Sequence, residues 1–386
     1  MLRSYRPWLI GFFLLVIYSL PLAQAVVEAS RGEWPQALDV FRQSPTAANL
    51  RAFERDTEHA SVLATFARPW VQSLRFMLLR DPGEKTILGR GGWLFYRPDV
   101  QYLIEPFRFD GSPAATNPVA AIVRFRDQLA SRGIRLLVIP IPAKPSIYPE
   151  LLSLRPLSGG GLRQTHTREL LARLLEQGVE TVDLLDPLSR WHLQGAGFLK
   201  RDTHWSASAA RRAAELVAKR IRESNWVVGE ATEFITRPVS ISRRGDLVRM
   251  MEAPQLDSFL PEEEVPCEQV ISKLSGELYA DDAHSPVLVL GDSFLRMYQT
   301  DEPKAAGFIA HLARELHTPL TSIVNDGGAS TLVRRQLARS PDLLDGKKLV
   351  IWEFVERDIR FGADGWQDVP LPPARVSGLA SSVSLR

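Results

Sequence analysis

The rhythm of apolar and polar residues changes along the chain, and each change marks an element. Residues 7–27 carry no charge and include the run Trp8-Leu9-Ile10-Gly11-Phe12-Phe13-Leu14-Leu15-Val16-Ile17. Arg3 and Arg6 precede this stretch, and Ala23-Gln24-Ala25 lies near its end. A basic start, an apolar core and a small-x-small ending describe a secretory signal, while about 20 apolar residues also suffice to span a bilayer. Residues 1–28 are therefore read as a signal peptide or a membrane anchor: Pro21 favours cleavage, the tryptophan-flanked length an anchor. Under both readings the arginines hold the N-terminus in the cytoplasm and the rest is exported. The predicted location is periplasmic, with attachment to the inner membrane if the segment stays uncleaved. Residues 29–84 place Leu38, Phe41, Leu50, Phe53, Val62, Leu63 and Phe66 in a mostly helical lead-in.

Past Gly89-Arg90-Gly91-Gly92-Trp93-Leu94-Phe95-Tyr96, a glycine turn entering an aromatic strand, strands and helices alternate. Asn117-Pro118 reads as the cap and first residue of a helix carrying Val119, Ile122, Val123 and Leu129 on one face and stopped by Gly133. Leu136-Leu137-Val138-Ile139 is a continuous apolar run, as expected of a strand buried on both faces. Helices are predicted at 162–177, 206–221, 308–316 and 332–338, and strands at 179–184, 286–290, 320–324 and 349–353. Such alternation implies an α/β fold with a mostly parallel sheet flanked by helices. Residues about 225–285 break the pattern with short β-like pieces and acidic turns, and are read as a β-rich insertion in a domain spanning 85–372. Residues 373–386 form a small, polar tail.

With 386 residues and 45% apolar composition the chain can build one large core. Its net charge of +2 is scattered, which argues against a nucleic-acid partner. Cys267 is the only cysteine, so an intrachain disulfide and a cysteine-based zinc site are excluded. No histidine pair shows metal-ligand spacing with carboxylates, and neither metal nor cofactor is predicted.

In a parallel sheet, functional groups collect beyond the carboxyl ends of strands. Val287-Leu288-Val289-Leu290 runs into Gly291-Asp292-Ser293-Phe294, which puts the Ser293 hydroxyl at such an end as a candidate nucleophile, with its own N–H available to an oxyanion. A serine needs a base, and the base an orienting acid. Among seven histidines, His204 in Asp202-Thr203-His204-Trp205 has Asp202 on the same side of an extended segment, roughly 6–7 Å away along the chain. Capping of the following helix is the plainer role for that pair. His284, in Asp281-Asp282-Ala283-His284, precedes the serine's strand, and at about 3.3 Å per residue that strand holds it well over 10 Å from Ser293. It reads as a solvated turn. His59, His166, His192, His311 and His317 lack a suitably placed acid. Lys144 and Tyr148, after the first strand, and Asn325 and Gly327, after the fourth, are candidates for substrate binding or oxyanion support; a surface lysine and a simple turn are the bland alternatives. Glu353, Glu356 and Arg357 are expected to form a structural ion pair, and Trp93, Phe95 and Tyr96 to pack as core rather than stack on sugars.

Together these segments resemble the AlgX/AlgJ-like alginate O-acetyltransferases, exported SGNH-like enzymes. The resemblance rests on residues 89–96, Pro142-Ala143-Lys144, Asp202-Thr203-His204-Trp205, Gly245-Asp246-Leu247, Gly291-Asp292-Ser293-Phe294 and Glu353-Phe354-Val355-Glu356-Arg357, in the family's order. It implies an acid and base that precede the serine, a permutation of the usual SGNH order. It further implies acetyl transfer to hydroxyls of an exopolysaccharide through an acetyl-serine, with a membrane-bound O-acyltransferase relaying the donor. The single N-terminal apolar segment and the absence of room for a carbohydrate-binding domain bring the chain nearer AlgJ than AlgX. An exported acetylesterase with the same Ser-His-Asp triad, and a non-catalytic glycan-binding member of an export assembly, remain open alternatives.

Overall fold

The computed structural model describes residues 6–109, 117–152, 165–227, 232–362 and 365–373; Arg3 and the polar tail from 374 onward lie outside them. The chain divides into two compact units, one comprising residues 1–83 and 251–260, the other 84–250 and 261–386.

The first unit is helical. Helix Arg6–Ser30 contains Pro7–Ser30, a stretch long and apolar enough to cross a membrane. Helices Ala47–Ala60 and Val62–Leu79 follow. Thr46 and Ser61 cap them by accepting the N–H groups of Asn49 and Ala64, satisfying donors that a helix start leaves free. The last helix ends at Arg80, whose left-handed backbone (φ 55°) breaks the repeat. It buries Phe76 and Ser73, and the Ser73 hydroxyl donates to Gln255 Oε1 at 3.0 Å.

The second unit is built on strands β1 (Thr86–Leu88), β2 (Leu94–Tyr96), β3 (Arg135–Ile141), β4 (Glu180–Thr181), β5 (Phe234–Arg243), β6 (Glu263–Ser272), β7 (Val287–Gly291), β8 (Thr321–Val324) and β9 (Leu349–Val355). Five of them form a parallel sheet in the order β4-β3-β9-β7-β8. Counted from β7 and continued past β9 to β3, this is the doubly wound order 2-1-3-4-5. The chain therefore enters the sheet at what would be its fourth strand, the permutation expected from acid and base preceding the serine. The expected strand over 179–184 is reduced to two paired residues at the sheet's edge.

Alternation explains the two cores. Leu137, Ile139 and Ile141 of β3, Val287 and Val289 of β7, and Leu349 and Ile351 of β9 face helices Ala207–Glu223 and Phe308–Leu316. Their neighbours Leu136, Val138, Leu288, Leu290, Val350 and Trp352 face helices Pro118–Ala130, Thr165–Glu176 and Leu332–Arg339. Each fully buried side chain of this size contributes about 1.5–3 kcal/mol. The apolar runs could therefore not sit in a sheet with one wet face. Asn117 caps its helix as the sequence predicts, its Oδ1 accepting the N–H of Val119 at 2.9 Å.

The β-rich insertion is an antiparallel ribbon of β5 and β6 in which Arg243 lies opposite Glu263. Its apolar side, Val239, Ile241, Val265 and Cys267, packs on Leu199, Ala207, Met297 and Tyr298. These residues flank the histidine segment and the serine, so the ribbon lies against the site.

Candidate active site

Ser293 opens a short helix, Ser293–Arg296, directly after β7. The turn needs glycine at 291: a Cβ there would lie 2.2 Å from Glu353 Oε2 and 2.4 Å from Leu295 Cδ1. Asp292 fixes the turn twice, accepting from Phe294 N–H at 2.8 Å and from Val355 N–H, at the end of β9, at 3.1 Å. The serine thus stands at the switch point between β7 and β9, where the wound sheet opens a crevice.

Residues 199–205 bring the base to it. A bridge pairs Phe198 with Trp205, and Glu263 accepts the N–H groups of Lys200 and Arg201 at 2.9 and 2.8 Å. His204 and Asp202 then project together, and the His204 N–H donates to Asp202 Oδ1 at 3.0 Å. His204 Nδ1 lies 2.6 Å from Asp202 Oδ1, and Nε2 lies 2.8 Å from Ser293 Oγ. With the proton on Nδ1 held by the carboxylate, the Nε2 lone pair accepts from the serine hydroxyl, an arrangement able to take that proton during nucleophilic attack. All three side chains are buried, Ser293 the least so at 9% exposure.

Two groups from the ribbon and its exit complete this wall, and neither was picked out as functional from sequence. Arg243 Nε donates to Asp202 Oδ2 at 3.0 Å, and Asp246 N–H donates to the same oxygen at 3.2 Å. Burial alone would raise the Asp202 pKa, but the charge and hydrogen bond of His204, with Arg243 behind them, hold it well below the usual carboxylate range. Asp246 accepts from Thr203 N–H at 2.7 Å and from its hydroxyl at 2.5 Å. Burial and the neighbouring Asp202 charge push the Asp246 carboxyl upward. Gly245 permits the approach, since a Cβ there would meet Arg201 O at 2.0 Å. The only sequence signal was Gly245-Asp246 in the family pattern. Asp202, His204 and Asp246 are close enough for their ligand atoms to share an ion. His204 Nδ1 already faces Asp202 Oδ1, however, which suits a triad better than a metal centre.

On the opposite side Glu353 Oε2 accepts the Asp292 N–H at 3.0 Å. Burial, then the charge of Asp292, drives the Glu353 pKa well above its ordinary range. The expected ion pair among Glu353, Glu356 and Arg357 is not formed. Arg357 pairs with Asp99 at 2.8 Å. Glu356 accepts from Ala143 N–H at 2.9 Å, from the Thr167 hydroxyl at 2.8 Å and from the Ser146 hydroxyl. Successive strand residues point to opposite faces, which separates neighbours in sequence.

The remaining candidates are placed as follows. Lys144 is fully buried and donates to the carbonyls of Leu94 at 2.8 Å and Lys200 at 3.2 Å, tying β2 to the histidine segment; burial lowers its pKa to about 8. The Tyr148 hydroxyl accepts from Phe198 N–H at 3.1 Å, and its ring lies 4.6 Å from that of Trp93. Both therefore support the site through the protein interior. Asn325 donates its N–H to Gly291 O at 3.0 Å beside the serine turn, and Gly327 is exposed with φ 67°. His284 is exposed and its N–H donates to Asp282, at the amino end of β7.

The profile of a family described as an SGNH hydrolase-like domain, acetyltransferase AlgX, matches residues 86–356, a span that holds Asp202, His204, Arg243, Asp246, Ser293 and Glu353. The chain belongs to this family. It is an O-acetyltransferase with an SGNH-like fold. It is 26% identical over 381 residues to the probable alginate O-acetylase AlgJ of Pseudomonas fluorescens, covering 92% of this chain and 88% of the relative. It is 25% identical over 239 residues to the alginate biosynthesis protein AlgX of Pseudomonas aeruginosa, covering 59% and 48%. The solved O-acetyltransferase domain of Pseudomonas putida AlgJ shares the fold with a TM-score of 0.57 at 24% identity, over 72% of this chain and 92% of that one. Pseudomonas aeruginosa AlgX gives 0.53 at 21% identity, over 70% and 62%.

Proposed function

We propose that the family activity is carried by Ser293, His204 and Asp202 through an acetyl-serine intermediate. The observation that carries this is the continuous hydrogen-bonded line Asp202–His204–Ser293 at the carboxyl end of β7. As Ser293 Oγ attacks the acetyl carbonyl carbon, its proton passes to His204 Nε2. The tetrahedral oxyanion lies toward the Ser293 N–H at the start of its helix. When the carbonyl re-forms, the donor oxygen departs with the proton from Nε2. A sugar hydroxyl then repeats the sequence: its proton goes to Nε2, its oxygen takes the acetyl group, and Oγ recovers a proton. Asp202, kept ionised by His204 and Arg243, orients the ring and stabilises the imidazolium in both halves.

The names of the AlgJ relatives support an alginate-like exopolysaccharide as acceptor, and a membrane-bound O-acyltransferase fits the role of donor relay. The reading places the catalytic unit in the periplasm, held by an uncleaved N-terminal helix. That helix runs without a break through Ala23-Gln24-Ala25 to Ser30. Gln24 is buried there, its Oε1 accepting the Val62 N–H at 2.9 Å, while Glu28 accepts the Gln36 N–H at 2.9 Å. Cleavage after Ala25 would remove the Gln24 contact, which supports retention.

Incubation with an activated acetyl ester and alginate oligomers tests the proposal. A peptide bearing acetyl on Ser293 and acetylated oligomer are expected; release of acetate alone, with oligomers unmodified, would assign an esterase. N-terminal sequencing of the membrane-bound protein is expected to read the sequence before Ala23.

A further inference from the structure

Helix Val62–Leu79 carries an apolar face that nothing in the described structure covers. Projected at 100° per residue, Phe66, Met77, Trp70, Leu74, Ala67, Leu78 and Val71 occupy one continuous arc, and all are exposed, Phe66 at 72%, Trp70 at 60% and Leu78 at 70%. No polar side chain interrupts it. A second arc, with Ser73 and Phe76, is buried against the helix's own unit. Thr65, Arg68, Gln72 and Arg75 lie in the third together with Leu79; Arg68 pairs there with Glu252 at 3.4 Å and Arg75 with Asp81. A soluble surface rarely exposes so contiguous an apolar strip.

The position of this helix says what covers it. At about 1.5 Å per residue, Gln24 lies roughly 26 Å along the helix from Pro7, close to the far edge of a hydrocarbon layer about 30 Å thick. The hydrogen bond from Val62 N–H to Gln24 Oε1 therefore starts helix Val62–Leu79 beside the point where helix Arg6–Ser30 leaves the hydrocarbon layer. An exposed apolar arc carrying Phe66, Trp70 and Leu74, backed by a polar face, has the composition of a helix lying at the headgroup boundary.

We propose that helix Val62–Leu79 lies in the outer face of the bilayer crossed by residues 7–30, with Phe66, Trp70, Leu74 and Met77 inserted among the acyl chains. This rests on the anchor reading of the N-terminal helix and extends it from a single tether to a two-helix seat.

The test uses the full chain carrying Cys267→Ser, reconstituted into vesicles of phosphatidylethanolamine with phosphatidylglycerol. Single nitroxide labels are placed through Phe66→Cys, Trp70→Cys, Leu74→Cys, Thr65→Cys and Gln72→Cys, with Leu14→Cys as a marker of the span. Collision with oxygen and with a water-soluble nickel chelate is read at each. Labels at 66, 70 and 74 are expected to show an oxygen-to-nickel ratio severalfold above that at 65 and 72, repeating with the helix period. Ratios equal at all five sites, with Leu14 shielded from nickel, would overturn the proposal and leave the anchor standing. Labels at 66, 70 and 74 shielded from both reagents would overturn it in favour of a protein partner. A Leu14 label open to nickel would remove the anchor reading itself, and this inference with it.

Discussion

Asp202 and Glu353 flank the same serine from opposite sides, and both are completely buried, yet their surroundings move their pKa values in opposite directions. Asp202 faces His204, Arg243 and two backbone N–H groups, which overcome the burial penalty and keep it ionised. Glu353 has the Asp292 N–H on one oxygen, and burial, then the Asp292 charge, drives its pKa well above the ordinary carboxylate range. Burial opposes ionisation equally on both sides; the supply of donors and cations decides the outcome. Asp202 holds the His204 ring toward Ser293, and Glu353 clasps β9 to the serine turn.

The largest effect expected on the Asp202 side is from Ser293→Ala or His204→Ala, each lowering acetyl-ester turnover by about 10⁶ where residues act as a unit. A loss below tenfold for either would remove the triad. Asp202→Asn retains the shape but favours the wrong imidazole tautomer, for a loss of roughly 10⁴ in kcat. Arg243→Met leaves the buried Asp202 without its cation. Breaking a buried pair costs about 3 kcal/mol, measured as a lower denaturation midpoint, and kcat is expected to fall with it because Asp202 no longer holds His204 as firmly. An unchanged kcat in the folded variant would confine Arg243 to folding.

On the Glu353 side the contrast predicts tolerance of neutrality. Glu353→Gln is expected to keep activity within about twofold, while Glu353→Ala, which removes the acceptor of the Asp292 N–H, costs about tenfold, a buried hydrogen bond's worth. Equal losses in both variants would mean that the carboxylic acid itself matters. A last effect is read in stability rather than in rate. Burial, offset in part by the Ser146, Ala143 and Thr167 donors, raises Glu356 from 4.5 to about 7. The folded state therefore binds the extra proton, and stability is lost as pH rises from 4.5 to about 7, by on the order of 3 kcal/mol. Urea unfolding of Glu356→Gln at both ends of that window is expected to show a correspondingly flatter dependence than the parent chain.

The hydrogen-bonded line Asp202–His204–Ser293 was legible because its geometry is local. Asp202 and His204 are two residues apart in an extended segment, and Ser293 follows an apolar run too short and too uniform to be anything but a buried strand. The same reasoning correctly set His284 at the wrong end of that strand. It failed for Lys144, because a lysine's sequence neighbours do not say whether its charge meets solvent or the buried carbonyls of Leu94 and Lys200. It failed for Glu353, Glu356 and Arg357, whose partners Asp292, Thr167 and Asp99 are distant in sequence. The 225–285 stretch read as an insertion, and nothing local disclosed that its strands supply Arg243 and Glu263 to the catalytic wall.

By itself, the sequence determined the alternation of strands and helices, the carboxyl-edge position of the serine and the pairing of acid with base, because each depends on periodicity and spacing over a few residues. The tertiary structure alone decided the direction in which each buried acid's pKa moves, the cation behind Asp202 and the clasp beneath Ser293. Those depend on donors and charges carried in from remote segments, and in a water-poor interior such partners set the energy of an ionised group.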